Sequence, residues 1–174
     1  MLDRDIAEHQ DEILKRWIEH TIEDYPEETA KFLRSKTDRF ANPVGAGLRE
    51  GLAELLDGII RGVEPEELSS ALDRVIRVRA VQEFAPSAAV SFVFDLKDRL
   101  CEVVGETSAV APGRFDLIDK RIERLGMCAF DVYMSCREQM WSIRAQEIRN
   151  QSVGIMERVA EWRERREENS ETRR

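Results

Sequence analysis

One stretch, residues 87–104, constrains the fold more than any other part of the chain. When it is placed on a helix at about 100° per residue, its polar side chains gather on one narrow strip, which consists of Ser91, Asp95, Asp98 and Glu102. Apolar side chains cover nearly all the rest, namely Ala89, Phe92, Val93, Phe94, Leu96, Leu100, Cys101, Val103 and Val104. A helix this apolar is buried among other elements. The sequence therefore predicts a helical protein built around it.

The start of this helix is marked by Pro86. Proline suits the first helical position, and it disfavours helical backbone at the residue before it, which is Ala85. We therefore predict that a preceding helix ends at Phe84 and that the chain turns there.

Two cations fall among the apolar positions of these two helices. Arg79 precedes the turn and Lys97 follows it, and both are predicted to point toward the interior. One interpretation is that they pair with carboxylates, Glu83 being one turn from Arg79, or extend their charged ends to the surface. The other is that one of them supplies the polar contact in a ligand or anion site.

Hydrophobic periodicity and helix-end signals predict an all-α fold, a helical bundle of about six helices with a long C-terminal helix. Asn42 and Pro43 are the residue types preferred at the N-cap and at the first position of a helix. The five prolines and nine glycines lie at predicted turns and on one helix, which leaves little room for strands. The predicted helices cover residues 3–24, 26–35, 43–62, 65–84, 86–105 and 114–167.

Four glycines fall on one stripe of the helix that begins at Pro43, namely Gly47, Gly51, Gly58 and Gly62. Each interior glycine costs about 1 kcal/mol relative to alanine, so the stripe needs compensation. Two alternatives supply it: close approach of another helix, or a smooth wall for a bound apolar ligand. A phosphate-binding loop is excluded, because no strand precedes these glycines and no Gly-Lys-Ser/Thr follows them.

The predicted last helix carries two apolar stripes. One is a heptad-like seam of Ile118, Ile122, Leu125, Ala129, Val132, Cys136, Met140 and Ile143. The other consists of Met127, Phe130, Met134, Trp141 and Ile148. Two apolar faces predict that this helix packs on its own domain and on something else. We expect that second contact to form a homodimer, or an interface with an unknown protein partner.

The domain is predicted to span residues 1–156, followed by a charged helical extension, 157–174, that is partly disordered. An unbroken last helix would be about 80 Å long. That length exceeds a compact domain of this size, so we expect the helix to project or to bend, with Gly126 and Gly154 as candidate breaks.

Composition excludes several classes of function. The 174 residues, 42% hydrophobic and 36% charged, suit one soluble helical domain. A net charge of −8 argues against nucleic-acid binding. No apolar run approaches the roughly 20 residues of a membrane span, and the N-terminus is too polar for a signal peptide. We therefore expect a cytoplasmic protein without membrane insertion.

The chain offers no set of residues typical of catalysis. His9 and His20 are about 16 Å apart along one helix, too far to share a metal ion. No histidine follows His20, which argues against histidine-ligated haem. The three cysteines, Cys101, Cys128 and Cys136, are predicted to be reduced and buried. The alternative of a redox-sensing thiol requires exposure and a lowered pKa. We predict a non-enzymatic protein without metal or cofactor.

Two segments carry a resemblance to a known family, RVRAVQEFAPSAAVSFVFDLK (residues 77–97) and NPVGAGLREGLAELLDGIIRG (residues 42–62). Over residues 13–148 the chain resembles the N-terminal sensor domain of RsbT co-antagonist proteins. The resemblance implies a helical, globin-related or bundle-like input domain without haem. In co-antagonists a STAS output domain with phosphorylated threonines follows, whereas a charged helix end follows here. The phosphorylation is therefore not carried over.

Two hypotheses about function follow. The first is a signalling input or regulatory domain, a stand-alone relative of those sensor domains, which senses a ligand or partner and relays the signal through its C-terminal helix. Its predicted site for a small apolar or anionic ligand consists of Arg79, Lys97, Phe84, Phe92 and Phe94. The second is a structural interaction protein of a larger complex, without a ligand, in which the same apolar stripes serve assembly.

Overall fold

A computed structural model describes the backbone of residues 6–35, 40–107 and 115–171, and the side chains of 6–35, 40–105 and 115–163. Every regular element in these ranges is a helix, so the predicted all-α fold is confirmed. The elements are α1 (Gln10–Glu23), α2 (Glu27–Arg34), α3 (Pro43–Arg61), a 3₁₀ helix (Pro65–Leu68), α4 (Ser69–Val81), α5 (Pro86–Thr107) and α6 (Asp116–Glu171). None of the described helices is long and apolar enough to cross a membrane.

One face of α5 is buried, as predicted, but fewer than half of its described residues are buried. Its buried side chains are Ala89, Val90, Phe92, Val93, Leu96, Leu100, Val103 and Val104. The helix α1 packs against it, and the Trp17 indole N–H donates to the Phe92 carbonyl at 2.7 Å. Phe94 and Cys101 were predicted to lie in the core but are exposed. They lie on the same face of α5 as Lys97, and this face is exposed.

Residues 65–84, predicted as one helix, are divided: the 3₁₀ helix comes first, and α4 ends at Val81. Glu83 has a φ of 59°, and the Phe84 N–H donates to the Arg79 carbonyl at 3.2 Å. This is the Schellman arrangement, in which a left-handed residue closes a helix. The turn therefore begins earlier than Pro86 alone indicates.

The predicted N-cap at Asn42 is confirmed, and this buried side chain also binds the preceding helix. Its oxygen accepts from the Gly45 N–H at 2.8 Å, and its nitrogen donates to the Phe32 and Ser35 carbonyls, both at 2.8 Å. A Cβ on Gly45 would lie 2.5 Å from the Asn42 nitrogen. One amide thus joins the end of α2 to the start of α3, and a side chain at position 45 would force this amide to move.

Arginines from neighbouring elements bind the carbonyl groups at helix ends. Arg49 donates to the Leu33 carbonyl at 2.6 Å, at the end of α2. Arg121 donates to the Ile59 carbonyl at 2.8 Å, at the end of α3. Carbonyls in the last turn lack a partner within their own helix and carry the negative end of its dipole. Each arginine therefore stabilises a helix end while it connects two elements.

Two glycines of the α3 stripe lie directly against the next elements. A Cβ on Gly51 would lie 2.9 Å from Val75 Cγ2 and 3.0 Å from the Ala71 carbonyl oxygen in α4. A Cβ on Gly58 would lie 2.7 Å from Leu68 Cδ1 in the 3₁₀ helix. Close approach of neighbouring elements therefore explains these two positions, without a ligand.

The other two glycines of the stripe have different surroundings. Gly62 has a φ of 70°, a left-handed conformation that favours glycine, and the following Val63 N–H donates to the Gly58 carbonyl at 2.9 Å. A Cβ on Gly47 would have no atom within 4 Å. The stripe is thus not one continuous contact surface.

Contacts divide the chain into two compact units, Met1–Cys136 and Arg137–Arg174. The helix α6 continues through both candidate breaks, Gly126 and Gly154. In the first unit it buries Ile118, Ile122, Leu125, Ala129, Tyr133 and Cys136. The predicted seam is therefore largely confirmed there, whereas Ile143 in the second unit is exposed.

Alanine substitutions at two glycines of α3 should have opposite effects on stability. Gly51→Ala gains about 1 kcal/mol of helix propensity but forces overpacking, which costs about 1–3 kcal/mol, against the Ala71 carbonyl. We expect a net loss of about 1 kcal/mol. Gly47→Ala, the matched control in open space, should gain up to about 1 kcal/mol. Urea denaturation followed by circular dichroism measures both, and equal midpoints for the two variants would contradict the close contact.

Candidate functional site

The most buried charge in the described part of the chain belongs to Arg79, whose side chain has no exposed surface. Its Nη1 donates to the Ala88 carbonyl at 2.8 Å, in the first turn of α5. Its Nη2 donates to the Thr21 carbonyl at 3.1 Å and to Asp24 Oδ2 at 2.8 Å, at the end of α1. The guanidinium of α4 therefore binds groups from two other helices, α1 and α5. The predicted pairing with Glu83 is replaced by the ion pair with Asp24.

Three aromatic rings surround the same guanidinium. Its central carbon lies 5.4 Å from the ring centroid of Tyr25, 5.1 Å from that of Phe84 and 5.0 Å from that of Phe92. A cation within about 6 Å of an aromatic face is attracted to it, and the attraction grows when water is excluded. The rings and the carboxylate together compensate the loss of hydration. We call Arg79, Asp24, Tyr25, Phe84 and Phe92 the arginine junction.

The buried Oγ1 of Thr21, beside the junction, has no hydrogen-bond partner among the described residues. The hydroxyl of Tyr25 lies close enough to Arg79 to interact with its guanidinium. Burial raises the pKa of Tyr25, and the nearby charge of Arg79 opposes that change. The Tyr25 hydroxyl is therefore neutral at physiological pH.

The junction connects to the last helix through the turn before α5. The hydroxyl of Tyr133, a buried residue of α6, donates to the Phe84 carbonyl at 2.7 Å. The Phe84 ring meanwhile packs on Arg79. One residue of the turn thus contacts the buried charge with its ring and α6 with its backbone.

Only part of the predicted ligand site comes together. Arg79, Phe84 and Phe92 meet at the junction, whereas Lys97 and Phe94 lie elsewhere. The prediction that Lys97 points inward is wrong: its side chain is 52% exposed and its Nζ lies 2.7 Å from Asp119 in α6. Its hydrogen bond with that carboxylate raises the pKa of Lys97.

The Phe94 ring is 44% exposed and lies over Gly126, where a Cβ would be 2.2 Å from its ring carbon Cζ. Among the described residues, neither Lys97 nor Phe94 forms a hydrogen bond, ion pair or ring contact with the arginine junction. Ligand binding by any of the five residues stays a prediction.

Sequence patterns missed the residues that complete the junction. Asp24 and Tyr25 carry only the signal of a helix end before Pro26, and they lie more than fifty residues from Arg79 in the sequence. Tyr133 stands next to the predicted seam of α6 and not in it. The periodicity of one helix identifies its buried face but not the groups that meet it.

A cleft of about 360 Å³ lies within the first unit, between the end of α3, the 3₁₀ helix and the start of α6. Its apolar lining is formed by Ile59, Val63, Pro65, Leu68, Leu117 and Leu125. Three cations of α6 also line it, Lys120, Arg121 and Arg124, of which Arg124 pairs with Glu64. This combination of surfaces suits an apolar molecule with an anionic end.

A second titratable group lies beside the junction. Burial raises the pKa of the Asp95 carboxyl; His20, whose Nε2 lies 3.6 Å from Asp95 Oδ2, opposes the shift. The Asp24 and Asp98 carboxylates add to the rise, while Arg79 opposes it. The charged form of Asp95 is therefore less favourable in the folded protein than in the unfolded chain.

The thiols do not have the character of redox sensors. Burial is the largest cause that raises the pKa of Cys101, Cys128 and Cys136 alike, and nearby carboxylates act in the same direction. Cys101 is exposed, contrary to prediction, and Cys128 is half-buried. A raised pKa keeps each thiol protonated and unreactive. No group of three or more metal-ligating side chains occurs among the described residues.

The predicted interface residues of α6 are all exposed. In the first unit Met127, Phe130 and Met134 are 68%, 42% and 39% exposed, and in the second unit Trp141 and Ile148 are 62% and 65% exposed. Large apolar side chains in such positions are typical of surfaces that bind another protein. The predicted homodimer itself stays a prediction.

Replacing Asp95 by asparagine should give a stability gain that depends on pH. Because its pKa is higher in the folded state, charged Asp95 lowers stability at neutral pH, and this penalty disappears as pH falls toward about 4, the usual range of a carboxyl. Asp95→Asn should therefore be more stable than the parent at pH 7, with a gap that narrows on acidification. Glu138→Gln, at an exposed position of α6 whose carboxylate does not act on Asp95, controls for net charge. Thermal unfolding at several pH values measures the gap, and a gap that widens on acidification would contradict the assignment.

Comparison of the sequence with known protein families gives one match that covers most of the chain. The family model described as the RsbT co-antagonist protein RsbRD N-terminal domain matches residues 11–148, which is more than half of the chain. The matched range contains the arginine junction, the cleft and Tyr133.

A protein of Archaeoglobus fulgidus, described as uncharacterized, is also similar to this chain. It is 22% identical over 158 residues, which cover 88% of this chain and 93% of that protein. No solved structure matches the chain.

Proposed function

The chain belongs to the RsbT co-antagonist protein RsbRD N-terminal domain family, and we propose that it is a signalling input domain whose last helix passes the state of the bundle to a protein partner. The family is a signalling-related one, which supports a regulatory and not a catalytic role. The signal is a ligand or a partner that changes the packing at the arginine junction.

The observation that carries this proposal is the position of Phe84. It stands between the buried charge of Arg79 and the hydroxyl of Tyr133, so a change in the ion pair with Asp24 alters the turn that holds α6. Packed interiors respond to such changes by discrete shifts of helices. The arrangement thus provides a contiguous path of contacts from α1 to α6.

Weakening the ion pair should loosen α6 as well as α1. Asp24→Asn leaves the buried guanidinium without its charged partner, and removing one partner of a buried pair is destabilising. We expect faster hydrogen exchange, measured by mass spectrometry, in peptides that cover residues 84–92 and 126–136. Tyr133→Phe should loosen 126–136 by itself, and combining the two substitutions should add little there, because both interrupt the same path.

The control is Glu19→Gln, which removes an exposed carboxylate of α1 that pairs with Arg34. It should leave exchange in residues 126–136 unchanged. If Asp24→Asn accelerates exchange only in α1, α4 and α5, the relay to the last helix is refuted.

A second candidate function, a structural interaction protein without a ligand, is favoured by one observation. Both terminal nitrogens of Arg79 already bind protein groups, and the exposed apolar residues of α6 are available for assembly. Native mass spectrometry of the purified protein separates the two functions. A retained small molecule supports the input domain, whereas stable oligomers of the bare chain whose α6 exchange is insensitive to Asp24→Asn support the interaction protein.

A further inference from the structure

The second unit carries a regular row of exposed apolar side chains. Trp141, Ile148, Ile155 and Trp162 follow one another at intervals of seven residues, and they are 62%, 65%, 54% and 58% exposed. All four lie on the continuous helix α6. A seven-residue apolar repeat is the pattern by which two helices pair along a left-handed supercoil. We call these four residues the heptad row.

The residues beside the heptad row complete a coiled-coil seam. If the row occupies the d positions, the a positions are Ala145, Ser152 and Val159. Small a residues alternate with large d residues, so that bulky side chains of a partner helix have room opposite them. The seam is thus of a kind that accepts a second helix.

Charges on this helix are separated by position. In residues 141–163 the four arginines all fall at e or g, the positions that flank the seam, and they are Arg144, Arg149, Arg158 and Arg163. The three glutamates all fall at c or f, away from the seam, and they are Glu147, Glu157 and Glu161. Side chains at e and g meet those of the partner helix and set partner choice. Both edges of the seam are therefore positive.

A second copy of the chain does not complement these edges. In a parallel pair the g positions of one helix meet the e positions of the other, and in an antiparallel pair like positions meet. Either arrangement brings arginines against arginines, which opposes self-pairing.

A membrane surface is also a poorer match. Four arginines against three glutamates leave residues 141–163 with a net charge of +1, so repulsion of the glutamates offsets most of the attraction of about 1 kcal/mol per arginine to anionic lipids. A strict seven-residue period also drifts around a straight helix of 3.6 residues per turn, so the row suits a supercoiled partner better than a flat surface.

We infer that residues 141–163 dock a partner helix whose apolar seam is flanked by carboxylates. This inference deepens the proposed function, because it names the class of partner that the last helix would bind. Docking of the partner helix depends only on residues of the second unit, so it can be tested independently of the path of contacts from α1 to α6.

The test uses two synthetic four-heptad peptides and the full-length chain. Both peptides carry Ile and Leu in the seam; one has Glu at every e and g position and the other has Lys. Isothermal titration calorimetry at low salt should show the Glu peptide binding at least tenfold more tightly than the Lys peptide. This preference should shrink as salt is added.

A charge-reversed chain, R144E/R149E/R158E/R163E, should prefer the Lys peptide by a similar factor. The matched control, E147K/E157K/E161K, changes charges of the same helix away from the seam and should keep the original preference. Circular dichroism checks that both variants remain helical. If the charge-reversed chain fails to fold, the difference in affinity of the parent chain for the two peptides still tests the inference.

Three results overturn the inference: equal binding or no binding of the two peptides, a stable dimer of the parent chain that excludes the Glu peptide, or tighter binding to phosphatidylglycerol-containing vesicles than to that peptide. If Asp24→Asn does not change hydrogen exchange in residues 126–136 but the chain still prefers the Glu peptide, the proposed function is refuted and the docking site is retained. If that exchange does change but the chain shows no preference for the Glu peptide, the docking site is refuted and the proposed function is retained.

Discussion

The arrangement of the bundle depends on the burial of one charge. A guanidinium without exposed surface pays a large desolvation cost, which is compensated only if partners surround it in good geometry. For Arg79 these partners come from α1, from the first turn of α5 and from three aromatic rings. The helices must therefore adopt their relative positions together. An apolar side chain of similar size would impose fewer requirements there, because it would need neither the carbonyl groups nor the carboxylate.

Binding of carbonyl groups at helix ends recurs in this unit. Arg79 reaches the end of α1, Arg49 the end of α2 and Arg121 the end of α3. Each arginine belongs to a later element than the helix end that it binds. The last turn of a helix offers carbonyls and the negative end of the dipole, and a guanidinium supplies several donors in a fixed plane. These contacts connect pairs of helices, and the bond from Arg49 helps to hold the short helix α2 in position.

The sequence predicted the helices and most of their buried faces, because apolar periodicity indicates which side of a helix is buried. It did not predict which elements pack against that side. Arg79 and Lys97 show the same pattern, a cation among apolar positions, yet one is enclosed and the other lies on the surface beside Asp119. The difference arises from which elements lie opposite, and no local pattern contains that information. The residue Asp24 illustrates the same limit, since only the tertiary fold brings the end of α1 to Arg79.

The arginines of α6 have different surroundings in the two units of the chain. In the first unit Arg121 binds backbone carbonyls of the bundle, so part of its hydrogen-bonding capacity is already directed inward. In residues 141–163 the arginines stand at the two edges of an exposed apolar seam, while the glutamates stand away from it. A charge that only kept the helix soluble would need no such order, because opposite charges mixed around the surface serve that purpose as well. The separation of arginines from glutamates has a physical use when a binding partner contacts the two edges of the seam. The chain as a whole has a net charge of −8, so these two positive edges differ in charge from the rest of its surface.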